Sequence, residues 1–422
     1  MFSTSHICNF APISAKMLWL LSIALFIYLL DVFALGFLLH DTPLMDFQSY
    51  YYAAAAYVQQ SDIYNSANLF ALAEDAQQRI YPYLYPPTLA FYFQGLSTFT
   101  AVQASAIFLA VSHLISIAIM LISLKLSLHQ LQYNSAQPPI TFNKCAYLLV
   151  ILACLSAPFH NNLQIGQINL WVLFNILLCF YASEVAKKPA LGGFFLAIAT
   201  VIKITPIGLL VYFLFKRRFK LALSFIVSLL LINLPLLLDD FGRQMWLNFF
   251  QHTQATLSGS VKGLSDIIDI QNFALFEVCQ RIIANKTISH VTALSIMAAM
   301  GIALAAFSFK LRHSPQTLLL LLPYLIVMLI VSPVLYTHHL IYLFPGIMLL
   351  LLVYYFSSVC QKVHVYSFAL LAFISCLDFP FYFKGFDTHN PLLLAANSYA
   401  LLALFIYSLF LIQRICSPQV KG

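Results

Sequence analysis

Apolar residues run in long blocks from Met17 to Ile412, separated by short polar connectors. Many blocks approach the ~20 residues a helix needs to cross a hydrocarbon core. In lipid such a helix satisfies its own backbone groups. The pattern predicts an all-α polytopic membrane protein. Spans are expected at residues 17–39, 146–158, 168–185, 189–202, 205–215, 221–238, 290–309, 316–331, 339–357, 365–380 and 396–413. The first run is longer than a signal-peptide core and lacks a small-residue cleavage site, so it reads as a retained span. The stretch from Pro86 to Leu128 must cross an odd number of times, yet it breaks near Gly95-Leu96-Ser97-Thr98. One of its two pieces is therefore expected to be a half-helix or re-entrant segment. The expectation is a bundle of about twelve transmembrane helices with both termini cytoplasmic.

Charge sets the orientation. Basic connectors at Lys187-Lys188, Lys216–Lys220, Lys310-Leu311-Arg312 and Lys362, and the tail from Arg414, belong inside by the positive-inside rule. Acids gather in the alternate loops: Asp41, Asp46, Asp62, Glu74 and Asp75; then Asp239, Asp240, Asp266, Asp269 and Glu277; then Asp387. With 62% hydrophobic and 8% charged residues and a mean hydropathy of +0.88, an ordinary soluble domain is excluded. The net charge of +7 is an anchoring signature, and no nucleic-acid-binding face accompanies it. The eight cysteines form no ligand spacing, so neither a metal site nor a disulfide framework is indicated.

One membrane-embedded domain, 1–422, is expected, with two long outer loops. In the first, 40–85, the spacing of Phe47, Tyr50, Tyr51, Ala54 and Tyr57 predicts an amphipathic helix in the interface, followed by a short helix from Asn68 to Arg79. The second, 239–290, carries Trp246, Phe249 and Phe250 and is expected to lie on the membrane similarly.

Five polar constellations fall on the outer side. They are Asp46 with its aromatics, Tyr83-Leu84-Tyr85-Pro86-Pro87, Gln164 to Asn169, Lys203-Ile204-Thr205-Pro206, and Ser332 to His339. Each sits at a helix end, where backbone donors or acceptors are free. Their shared side argues for one outward-opening cavity. Each residue also has a plainer reading. Asp46 suits a helix N-cap, Lys203 an interfacial anchor, and Gln167 and Asn169 caps or interhelix contacts. Neighbours on a helix point roughly 100° apart, so one of His338 and His339 is expected to be structural. Asp31, inside the first span, calls for a polar partner.

Taken in order, Asp-Phe-x-x-Tyr-Tyr, Tyr-Pro-Pro, Gly-Gln-x-Asn, Lys-x-x-Pro and Ser-Pro-x-x-x-x-His-His resemble glycosyltransferase family 87, the polyprenyl-phosphate-mannose-dependent mannosyltransferases of the GT-C fold class. The resemblance covers roughly Asp46 to His339. A departure is Tyr336-Thr337, where a Ser-Trp-like pair is expected. The resemblance implies sugar transfer from a lipid-phosphate donor to a glycolipid or glycan acceptor on the extracytoplasmic face of the cytoplasmic membrane. No cofactor or metal is called for.

The residue chemistry fits such a reaction. A carboxylate that takes the acceptor's proton as it attacks is worth about 100- to 10,000-fold, and Asp46 is placed for it. Lys203, His338 and His339 are candidates for the donor phosphate, whose departure benefits from fixed cations and donors. Gln167 and Asn169 offer hydrogen bonds to sugar hydroxyls, and Tyr51 and Tyr85 offer stacking faces. One base without a second carboxylate nucleophile implies inversion. Two other readings stand beside this one. A transporter or lipid flippase would place polar groups near the midplane. A glycan polymerase or ligase using polyprenyl-diphosphate donors would draw on Arg243 and Arg281 of the second loop.

Overall fold

The computed structural model describes residues 15–30, 32, 44–73, 80–134, 150–257, 272–377 and 395–417. Among these no strand occurs, and the protein is an all-α polytopic membrane protein. The helices that matter to the site are α1 (Ala15–Leu29), α2 (Met45–Val58), α3 (Ser66–Ala71), α4 (Pro87–Phe93), α5 (Ala101–Asn134), α6 (Ala157–Gln164), α7 (Asn169–Phe180), α8 (Pro189–Ile202) and α9 (Leu210–Phe215). They are followed by α10 (Phe219–Leu238), α11 (Asp240–Leu257), α12 (Leu275–Ile282), α13 (Lys286–Leu311), α14 (Leu321–Ile330), α15 (Leu343–Tyr355), α16 (Lys362–Ser375) and α17 (Ala396–Cys416).

Five helices among the described residues are long and apolar enough to cross a membrane: Ala101–Gln132, α10, α13, Thr337–Tyr355 and α17. Six more apolar helices run only 10–17 residues. Here several apolar runs are split by a change of helix type: 3-10 turns at Thr205–Leu209, Pro315–Leu320 and Thr337–Tyr342, and a π turn at Tyr181–Val185. The break near Gly95 is present. α4 with the 3-10 turn Gln94–Thr98 is the short piece, and α5 is the long one. Asp31 lies outside the described residues, as do Asp41, Glu74, Asp75, Asp266, Asp269 and Asp387.

Lipid-facing and protein-facing sides are clearest on α10. Leu223, Ile226, Leu230, Leu234 and Leu238 recur every three or four residues and are exposed, whereas Leu221, Phe225 and Leu236 are buried. An apolar stripe of that length belongs against acyl chains. The buried side meets α8 closely, for a Cβ on Gly193 would fall 2.3 Å from the Leu221 carbonyl oxygen. Only a glycine lets these two backbones approach so far.

The two long loops are built differently. α2 forms where the tyrosine spacing placed it, but Phe47, Gln48, Ser49, Tyr50, Tyr52, Ala53, Ala54, Ala56 and Tyr57 are all buried. Its run of four alanines makes a thin helix that packs against protein on several sides. The following helix is shorter than expected, Ser66–Ala71, and residues 74–79 lie outside the described set. α11, in contrast, is two-faced: Met245 and Phe249 are buried while Leu247 and Phe250 are exposed.

Candidate active site

The site begins with two helix ends docked head to tail. Leu44, the residue before α2, takes a left-handed conformation (φ 57°) and offers no side-chain cap. The orphan donors at the start of α2 are satisfied by the end of α6: the Leu44 N–H donates to the Gln164 carbonyl at 3.2 Å, and the Asp46 N–H to the Ile165 carbonyl at 2.9 Å. The chain then turns at Gly166, whose φ is +71° and where a Cβ would sit 2.8 Å from Phe47 Cβ. Glycine is required on both counts. The turn sets Gln167 directly against α2.

Asp46 is thus not the N-cap its sequence context allowed. Its Oδ2 accepts a hydrogen bond from Gln167 Nε2 at 2.8 Å. The other end of the same amide is saturated. Gln167 Oε1 accepts from Tyr50 OH at 3.0 Å, Tyr85 OH at 3.2 Å and the Ile168 N–H at 3.1 Å. Three donors on that atom identify it as the oxygen, so the NH₂ has to face Asp46. His338 Nε2 lies 3.4 Å from the same Gln167 nitrogen.

Lys203 enters from the other side, in the break between α8 and the Thr205–Leu209 turn. Its Nζ donates to Asn169 Oδ1 at 3.0 Å, an oxygen that also accepts from Tyr342 OH at 3.0 Å. Asn169 Nδ2 is buried and makes no hydrogen bond. Lys203 Nζ also stands 5.9 Å from the centre of the Tyr85 ring, within cation–π range. Asp46, Tyr85, Lys203, Tyr336 and His338 keep partial exposure, whereas Gln167, Asn169, Tyr50, His339 and Tyr342 are buried. The first set is the accessible side of this polar cluster, and the second packs behind it.

Burial raises the Asp46 carboxyl to about 6, against the lowering effects of the Gln167 hydrogen bond and the Lys203 charge. Burial likewise lowers the Lys203 ammonium to about 7, and Asp46 partly offsets this. The two feel each other's charge, yet among the described residues no ion pair joins them. Asn169 in the first turn of α7 brings a helix N-terminus to the cluster, a field that favours negative charge. A base near neutrality, a cation held apart from it and a positive field are what a proton-accepting displacement with an anionic leaving group requires.

Not every residue singled out in the sequence joins this arrangement. Tyr51 points away, its hydroxyl donating to the Phe99 carbonyl at 2.8 Å, and Tyr50 takes the inward place. Helical phase accounts for this, since residue i+4 shares a face with Asp46 and residue i+5 does not. His339 is buried, and its Nδ1 accepts from the Tyr336 N–H at 3.0 Å, so it caps its own turn; of the pair, His338 is the one that reaches Gln167. Arg281 donates to the Asn272 carbonyl at 2.7 Å and acts electrostatically on Tyr336, and Arg243 is paired with Asp240. Tyr342 gave no signal in the sequence, because it lies inside an apolar run. No cluster of three or more potential metal ligands occurs among the described residues.

An acid and a cation thus stand at helix ends within one polar cluster of a helical membrane protein. Residues 83–333, more than half of the chain, match the model of glycosyltransferase family 87, and the chain belongs to that family. No curated protein matches it. The matched stretch contains Tyr85, Gln167, Asn169 and Lys203, while Asp46 precedes it and His338 follows it.

Proposed function

We propose that this glycosyltransferase moves a sugar, mannose by preference, from a polyprenyl-phosphate donor to a glycolipid or glycan acceptor of the cell envelope. The reaction takes place on the extracytoplasmic face, the side that the basic connectors leave for Asp46. An acceptor hydroxyl enters beside Asp46, and its proton passes to the carboxylate as its oxygen bonds to the anomeric carbon. The bond from that carbon to the phosphate oxygen breaks, and polyprenyl phosphate leaves with one more negative charge than it had in the donor. Lys203 is placed to meet that charge, with His338 and the Asn169 amide beside it. A single displacement inverts the anomeric centre.

The observation that carries this reading is the pairing of a partly exposed carboxyl, raised to about 6, with an ammonium held apart from it. Gln167 aims the carboxylate, and Tyr85 offers the sugar a ring face beside the cation. The test is turnover of polyprenyl-phosphate-mannose by purified protein carrying Asp46→Asn. The expected loss is about 100- to 10,000-fold with the fold retained. Turnover near the wild-type rate would remove Asp46 from the role of base.

A further inference from the structure

The other end of the α7–α8 pair holds a polar cluster that sugar transfer does not use. Asn169 opens α7 and Glu184 lies in the π turn that ends it, about 22 Å along the axis at 1.5 Å per residue. Glu184 is buried. Its Oε2 lies 2.8 Å from Lys216 Nζ and 3.6 Å from Arg218 Nη2. Lys187 Nζ donates to the Glu184 backbone carbonyl, and Lys125 Nζ of α5 stands 5.6 Å over the Tyr181 ring. Two cations thus meet one carboxylate, a third holds the backbone of the same residue, and a fourth stands over the ring three residues before it. Of the 14 acidic residues, Glu184 is the only one between Asp75 and Asp239, so no neighbouring stretch of chain brings a second.

Two further features mark this cluster. Arg218 Nε and the Tyr212 hydroxyl are buried without hydrogen-bond partners, and the Tyr212 ring lies 5.7 Å from Lys216 Nζ. Lys187 (φ 56°) and Arg217 (φ 54°) close their helices in the left-handed conformation, where glycine is the usual residue. Holding long cations there is unfavourable for the backbone and leaves both exposed. Beside them, Leu191, Phe194, Leu214, Phe219 and Leu223 are exposed and apolar. A ligand suited to this place has an anionic phosphate head and hydrocarbon chains.

We infer that Lys187, Lys216 and Arg218 form a binding site for the phosphate headgroup of an anionic phospholipid, at the membrane face opposite the Asp46 cluster. Lys216 is held in place by Glu184, while Lys187 and Arg218 reach the ligand from the rim. Phosphatidylglycerol, titrated into the full-length protein in a neutral detergent, is expected to raise its thermal unfolding temperature in a saturable way. Phosphatidylcholine and inorganic phosphate are expected not to. The double variant Lys187→Gln, Arg218→Gln should need roughly 25-fold more phosphatidylglycerol for half of the effect, about fivefold for each cation removed. An unchanged titration curve in the variant overturns the site, and equal stabilisation by phosphatidylcholine overturns headgroup recognition. A shift produced by inorganic phosphate alone overturns the lipid as ligand. Should the variant lose its fold, the headgroup comparison on the unaltered protein still decides.

Discussion

The two ends of the α7–α8 pair each hold a buried or half-buried carboxylate, and they treat it in opposite ways. Glu184 is in direct contact with cations, its charge neutralised on the spot. Asp46 is held by a neutral amide, with the nearest cation, Lys203, engaged elsewhere on Asn169. An acid locked in ion pairs is a poor proton acceptor and a good brace. An acid surrounded by neutral donors stays near neutrality and remains available. The local partners, more than the residue type, separate chemistry from architecture here.

The sharpest way to break this comparison is to neutralise each acid in turn. Asp46→Asn should abolish turnover, by the factor given above, with little change in thermal stability. Glu184→Gln should do the reverse, costing on the order of 3 kcal/mol of stability by leaving buried Lys216 without its counter-charge. Turnover per folded molecule should stay close to normal. Paired assays of unfolding and specific activity check both. If Glu184→Gln left stability untouched, the brace would be no brace.

Next in size is Lys203→Met, which removes the cation facing the leaving group. A loss of about 100-fold in kcat is expected, comparable to deleting one preorganised donor. In the unaltered protein the same pair sets a bell-shaped pH profile. Activity rises through about pH 6 as Asp46 becomes a carboxylate, and it falls through about pH 7 as Lys203 loses its proton. In Lys203→Met the alkaline limb should disappear, and the acid limb should move up because a charge that lowered the Asp46 value is gone.

A smaller effect is expected for Gln167→Met. The variant removes a hydrogen bond that lowers the Asp46 value, so its acid limb should shift above pH 6 and its rate at pH 6 should drop about tenfold. A rate drop without a shifted limb would mean that Gln167 acts on the substrate and not through Asp46. The smallest contrast is between neighbours. Tyr51→Phe should change turnover by less than about twofold, while Tyr50→Phe, which frees one donor from Gln167 Oε1, should cost more.

Much of the reacting end was legible in the sequence because polar residues are rare in this chain. Asp46, Gln167, Asn169, Lys203 and His338 each stand out against apolar neighbours at a helix end, and the structure brings all five together. What was not legible turns on direction. Tyr50 and Tyr51 look alike in one dimension, and only helical phase separates them. His338 and His339 differ by which one the turn uses to cap itself. Glu184 passed unremarked beside conspicuous basic connectors, although its isolation from every other acid was a readable signal. The helix boundaries were obscured for another reason. Hydropathy is blind to the 3-10 and π turns that end α7 and open α14 and α15.

The peptide-to-peptide docking of α2 onto the end of α6 bears on how this enzyme tolerates sequence drift. The anchor of Asp46 consists of backbone atoms of residues 44, 46, 164 and 165. Leu44, Gln164 and Ile165 can therefore be exchanged for other side chains of suitable bulk without moving the base. Gly166 has no such freedom, since any substituent there meets Phe47. The position of Asp46 is thus secured by one constrained turn and by backbone atoms that many side chains could carry.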